Sequence, residues 1–69
     1  MNYFKENDHV VYVGCSQEQI NWGSNDDPRK ILIQGDVYII ERIEVKSQHT
    51  KLTLKEISGR FNSVCFEKL

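Results

Sequence analysis

Polar and apolar residues alternate strictly along Lys51-Leu52-Thr53-Leu54-Lys55, the period-two pattern of a strand with one buried face. Just upstream, Val37-Tyr38-Ile39-Ile40-Glu41-Arg42-Ile43-Glu44-Val45-Lys46 is the strongest strand signal in the chain, rich in β-branched and aromatic residues. Gly35-Asp36 reads as the turn before it, and the polar tetrad Ser47-Gln48-His49-Thr50 as the reversal after it. With 47–50 as the loop, Lys46 faces Lys51, Val45 faces Leu52, Glu44 faces Thr53, Ile43 faces Leu54 and Arg42 faces Lys55. Ile43, Val45, Leu52 and Leu54 then share one inward aliphatic side, as a half-buried antiparallel pair requires. Slipping by one residue would bury lysine and glutamate, so this register is expected to be well specified. Continued further, the same register sets Glu41 against Glu56 on the buried side, at a prohibitive desolvation cost. A β-bulge near Glu41-Arg42 is therefore expected, returning Ile40 and Tyr38 to the inside.

His9-Val10-Val11-Tyr12-Val13 reads as the first strand, ended by Gly14. Val10 and Tyr12 lie on one side and Val11 and Val13 on the other, so both sides are apolar. At the far end, Ser58-Gly59-Arg60 reads as a turn, Phe61-Asn62-Ser63 as a tight helical turn, and Val64-Cys65-Phe66-Glu67-Lys68-Leu69 as a last short strand. Between them, residues 15–34 carry no clear strand, and Asn21-Trp22-Gly23-Ser24-Asn25-Asp26-Asp27-Pro28 is dense in turn formers. A structureless stretch of this length is unusual in a compact domain. Two resolutions stand: a capping box at Ser16-Gln17-Glu18-Gln19 opening one helical turn, or a long hairpin with Arg29 to Ile33 as its returning arm. Short strands, polar turns and one long loop describe a small all-β barrel of five strands. Tyr3 and Phe4 are expected to staple the N-terminal segment onto it.

Sixty-nine residues make one domain, 1–69. So short a chain has little room for a deep, dry cavity. Ten acidic side chains against nine basic give a net charge of −1, which excludes coating a nucleic acid by bulk charge. Residues 1–30 hold three basic and five acidic side chains, and 31–69 six and five, so charge matters only in local patches. No apolar run approaches the ~20 residues that cross a bilayer, and Met1-Asn2-Tyr3-Phe4-Lys5-Glu6 lacks the apolar stretch of a secretory leader. The expectation is a cytoplasmic protein without membrane contact. In a reducing compartment Cys15 and Cys65 are expected as free thiols, bridged only if the first and last strands bring them together.

The opening Asp8-His9-Val10-Val11-Tyr12-Val13-Gly14 resembles the G-D-x-V-x-Y-x-G start of many small bacterial and phage-encoded barrel proteins. Gly35-Asp36-Val37-Tyr38-Ile39-Ile40 is similar to their G-K-x-Y-T-V element. Gly59-Arg60-Phe61-Asn62-Ser63-Val64-Cys65-Phe66-Glu67-Lys68-Leu69 is similar to their aromatic-rich close. The resemblance covers most of residues 8–69 outside the long loop, and position 8 lacks the glycine that usually precedes it. It implies a Src-homology-3-like barrel with a long two-armed loop after the first strand, which favours the hairpin for residues 15–34. It also implies a phage or mobile-element origin, and no catalytic residues.

Candidate chemistry is sparse. His9, Cys15, His49 and Cys65 stand in no ligand spacing, so no metal is expected. No orienting third residue or glycine-rich oxyanion loop accompanies Cys15 and the histidines, so no nucleophilic site is expected. Gly14, Gly23, Gly35 and Gly59 are isolated, which suits turns rather than a phosphate-cradling loop, and no cofactor is expected. Two surfaces remain. Arg42, Lys46, Lys51 and Lys55 share the outward side of the hairpin, a face that suits phosphates or an acidic partner as well as a plain solvated edge. Trp22, with Arg29 and Lys30 nearby, suits a partner contact on a loop held by a rigid scaffold, or a cap on the open barrel end. The reading is a non-enzymatic protein-interaction module, expected to be a phage factor that binds a host protein. The alternative is a nucleic-acid-binding barrel using the basic hairpin face, against which stands the lack of aromatics among those cations.

Overall fold

The computed structural model describes residues 3–22, 25–47 and 49–69. Strands β1 (His9–Tyr12), β2 (Val37–Val45), β3 (Thr50–Leu54), β4 (Phe61–Asn62) and β5 (Phe66–Lys68) form one antiparallel sheet in the order β4-β3-β2-β1-β5. The fold is all-β; the described residues add a short helix, α1 (Gln17–Asn21), and a 3-10 turn, Ser63–Cys65, between β4 and β5. Among the described residues no ladder joins β4 to β5, so the sheet is not closed into the expected barrel. The two edge strands are short and follow each other through the 3-10 turn. That leaves little edge for backbone pairing.

The core lies on the inner side of the sheet. Val10, Tyr12, Ile40, Leu52, Leu54, Phe61, Cys65 and Phe66 pack there, joined by Phe4 and Leu32. Phe4 is buried while Tyr3 stays outside, its ring edge-on to Phe4 at 4.9 Å and its face 5.6 Å from the Lys68 ammonium. The expected stapling of the N-terminal segment therefore holds for both residues. Met1 and Asn2 lie outside the described residues.

The bulge is where the pattern placed it. Ile40 pairs with Leu54 and Arg42 with Thr53, so Glu41 is the extra residue. It bends β2 and keeps Ile40 fully buried. The hairpin register differs from expectation by two residues. Ile43 pairs with Leu52, Glu44 with Lys51 and Val45 with Thr50. The reversal is residues 46–49, closed by the Lys46 N–H donating to the His49 carbonyl at 2.8 Å; Gln48, in the expected loop, lies outside the described residues. Val45 consequently sits past the end of the core and is 58% exposed, whereas Leu52 and Leu54 are fully buried and Ile43 half-buried.

The preferred hairpin for residues 15–34 is not formed. Ser16 caps α1 instead: its hydroxyl accepts from the Gln19 N–H at 3.1 Å, and the Gln19 side chain accepts from the Ser16 N–H at 2.9 Å. This reciprocal pair satisfies donors that a hairpin arm would leave to water. The expected returning arm, 29–33, is a turn, with the N–H groups of Ile31 and Leu32 both donating to the Pro28 carbonyl. The expected helical turn at 61–63 lies two residues later, because Phe61 and Asn62 pair with Leu52 and Lys51 as β4. Gly59 has φ +122°, and a Cβ there would meet the Phe61 ring at 3.0 Å and an Asp26 carboxylate oxygen at 3.3 Å. The β3–β4 turn therefore requires glycine. Gly23 and Ser24, in the expected turn-rich segment, lie outside the described residues.

Cys15 and Cys65 are joined by a disulfide, with Cα atoms 5.1 Å apart, which corrects the free-thiol expectation. The reason is topological. β1 pairs with β5, Tyr12 opposite Phe66, and the Val13 N–H donates to the Cys65 carbonyl at 2.9 Å. Fifty residues of separation in sequence thus become near neighbours in space.

Candidate functional site

Trp22 closes α1 and is 54% exposed, so it does not plug the core. Its backbone is held on both sides. Its N–H donates to the Glu18 carbonyl at 3.0 Å, and its own carbonyl accepts from the Asn25 side-chain amide, which also reaches the carbonyls of Gln19 and Ile20. Asp26 then ties the segment to the β3–β4 turn. Its N–H donates to the Arg60 carbonyl at 2.9 Å, and its carboxylate accepts from the Arg60 N–H at 2.8 Å.

The indole so positioned forms one wall of a groove of about 200 Å³, lined also by His49, Thr50, Asn62, Ser63 and Val64. Four separate stretches meet here: the end of α1, the β2–β3 reversal, β4 and the 3-10 turn. Asn62 holds two of them together. It is 2% exposed; its amide donates to the Gln19 carbonyl at 2.9 Å, and its side-chain oxygen accepts from the Val64 N–H at 3.2 Å. Trp22 and Val64 supply exposed apolar surface, while His49, Thr50 and Ser63 supply donors and acceptors at the rim. The sequence signal for Trp22 was plain. The other five lining residues carried none, apart from the capping habit of Asn62 before a helical turn.

Arg29 and Lys30 do not line this groove. Arg29 is bound to Asp27 at 2.8 Å, and it also donates to the Gln17 side chain at 2.7 Å. The Arg29 guanidinium, and then its backbone N–H, hold the Asp27 carboxyl at a pKa of about 2, below the ordinary 3.8. Because the folded value is depressed, the pair contributes fully above pH 3.8 and its contribution fades as pH falls through about 2. An NMR titration should show Asp27 ionising near pH 2, and near its ordinary value in Arg29→Gln. A titration unchanged by that substitution would refute the pairing.

The basic hairpin face is dispersed. Lys51 is 6% exposed, beside Glu44 on one strand and Asn62 on the other, so it does not face solvent as expected. Arg42, Lys46 and Lys55 are exposed. The expected like-charge oppositions, Lys46 with Lys51 and Arg42 with Lys55, do not occur, since Glu44 stands opposite Lys51 and Thr53 opposite Arg42. Glu44 is the centre of charge on this side, 3.3 Å from Arg60 and 3.5 Å from Lys46. Partial desolvation pulls its carboxyl upward, but the hydrogen bond and charge of Arg60, with Lys46, outweigh it and hold the group below its ordinary value. Lys55 lines a different hollow, of about 420 Å³, with Val37, Tyr38, Ile39, Glu56 and Ile57. Among the described residues, no three potential metal ligands cluster, and no helix is long and apolar enough to cross a membrane.

One five-stranded antiparallel sheet, with a short helix and a groove walled by Trp22 beside it, defines a small all-β fold. The chain belongs to the family described as Bacteriophage T4 protein Y07B, whose family model matches residues 10–69. That membership bears out the expected phage connection. Comparison with curated proteins and with solved structures finds no match.

Proposed function

We propose that this phage-family protein is a non-enzymatic interaction module that takes an extended segment of a host protein into the Trp22 groove. The observation that carries the reading is the half-exposed indole, its backbone carbonyl held by Asn25, on the wall of a groove whose rim offers hydrogen-bonding groups. A tryptophan side chain offers a large apolar area with only two rotatable bonds, which is what makes such residues binding hot spots. Kinship with Src-homology-3-like barrels is part of the proposal. It is supported by the strand order, the long connection after β1 and the 3-10 turn before the last strand. A cytoplasmic setting is also part of it. That setting places the Cys15–Cys65 bond among thiols, where its persistence depends on how far the burial of Cys65 shields it.

The test is affinity capture from host lysate with wild type, Trp22→Ala and Val64→Asp, each with and without nuclease. Both side chains are exposed, so the variants should keep the wild-type circular dichroism spectrum. A host protein retained by wild type after nuclease, and lost more than tenfold with either variant, is the expected result. Equal retention by all three refutes the groove as the binding surface. Retention that vanishes with nuclease transfers the function to nucleic acid and to the cations Arg42, Lys46, Lys55 and Arg60.

A further inference from the structure

The Cys15–Cys65 bond ties together two of the stretches that build the Trp22 groove. On one side it leads through the Ser16 cap into α1, which ends at Trp22. On the other it closes the 3-10 turn that carries Ser63 and Val64. Gln19 joins the same stretches without a covalent bond. Its carbonyl accepts from the Asn62 amide at 2.9 Å. Its side-chain oxygen accepts from the Ser16 N–H at 2.9 Å and lies 3.8 Å from the Cys65 sulfur. A disulfide sulfur has no proton to give, so that last approach becomes a hydrogen bond only when Cys65 is a thiol. The fold thus holds an acceptor ready for reduced Cys65, and it is the oxygen that the cap of α1 uses.

The two cysteines differ in access. Cys65 has no exposed surface, whereas Cys15 is half-buried at the margin of the core. Thiol–disulfide exchange begins when a thiolate reaches one of the two sulfurs, and access decides which. In the folded chain Cys15 is therefore the sulfur attacked and Cys65 the sulfur released.

We propose that Cys15 is a thiol-exchange site through which a low-molecular-weight thiol of the glutathione class switches the Trp22 groove off. The thiolate attacks the Cys15 sulfur. A new S–S bond forms there as the Cys15–Cys65 bond breaks, and the electron pair leaves on Cys65, which takes a proton from water. A second thiolate attacks the sulfur of the first, forming the small-molecule disulfide and releasing Cys15 as a thiolate, which is protonated in turn. Two small thiols are thereby oxidised while the protein gains their electrons and protons, and the reverse sequence restores the bond. With the bond open, the Cys65 thiol competes with the Ser16 N–H for the Gln19 oxygen, and the stretches bearing Trp22 and Val64 are no longer tied. The switch rests on the reading of the groove as a binding surface, whereas the exchange at Cys15 stands apart from it.

Partial reaction of the oxidised full chain with glutathione at about 1–10 mM, quenched with iodoacetamide in denaturant and mapped by peptide mass, tests this. Glutathione should sit on Cys15 at least about tenfold more than on Cys65, with the alkyl group on Cys65. The rate should be proportional to glutathione and change less than about twofold in 1 M urea, whereas a route through global unfolding accelerates roughly fivefold. Trp22 is the sole tryptophan, so its indole N–H gives a single NMR resonance, which should shift in step with exchange. Equal labelling of the two cysteines overturns the proposal, as does a rate that climbs with urea like unfolding, or a bond that glutathione leaves intact. An indole resonance that stays in place while Cys65 becomes alkylated overturns the switch. Each of these readouts proceeds without a binding partner, so its failure is distinct from a failure of the wild-type protein to capture a host protein.

Discussion

Reducing the Cys15–Cys65 bond should lower the unfolding free energy by about 4 kcal/mol. That is the chain-entropy value for a loop of this size, the two cysteines being fifty residues apart. The bond ties Cys15, three residues past β1, to the last residue of the 3-10 turn, so β2, β3 and β4 lie inside the closed loop and β1 and β5 just outside it. Releasing it gives the unfolded chain freedom that the folded chain does not gain. A domain of this length holds only about 3–10 kcal/mol in all, so the reduced protein should be largely unfolded at ambient temperature or close to it. Urea unfolding with and without a thiol reductant measures the difference. The variant Cys15→Ala/Cys65→Ala should behave like the reduced protein in either buffer. Equal midpoints in the two buffers for wild type would mean that the cysteines are not bonded. The groove should respond too. Ser63 and Val64 on one wall precede Cys65 directly, and the capping residue of the helix that ends in Trp22 follows Cys15 directly.

Leu52→Ala should cost about 3 kcal/mol, and Val45→Ala less than about 0.5 kcal/mol. Leu52 is wholly buried between Ile43 and Phe61 on the neighbouring strands, so its truncation leaves a cavity in the middle of the sheet. Val45 pairs with Thr50 at the open end of the hairpin, where water already covers it. The comparison discriminates between registers. With Val45 opposite Leu52, both truncations would open the core and cost alike. Equilibrium urea unfolding of the two variants against wild type decides it, and a Val45→Ala cost approaching that of Leu52→Ala would overturn the pairing described here.

The residue pattern by itself determined a good deal. Alternation in residues 51–55 and the β-branched run after Val37 established the two longest strands and which of their sides turns inward. The inward placing of Glu41 located the bulge, because a buried carboxylate is too costly to keep, although its expected partner Glu56 came from a register two residues off the observed one. The apolar character of both sides of β1 suited a strand covered on both sides or at a barrel closure, but Val11 is only half-buried and Val13 is exposed. Trp22 among turn formers suited either a surface contact or a cap on the open end, and only the structure shows it half-exposed. Tertiary structure decided the rest, and in each case for a nameable reason. A slip of one residue reverses the sides of a strand, but a slip of two preserves them. Alternation therefore could not choose between Val45 and Ile43 as the neighbour of Leu52, and the closure of the 46–49 turn did. Lys51 reads as a solvent-facing lysine until β4 places Asn62 beside it. The helix and hairpin readings of residues 15–34 differed by a capping box whose worth depends on what α1 packs against. The disulfide and the groove are long-range products: one needs β1 beside β5, the other needs four stretches of chain brought to one place. Local chemistry sets the faces of strands, whereas their partners are set by contacts between residues far apart in the chain, and no short-range pattern encodes those.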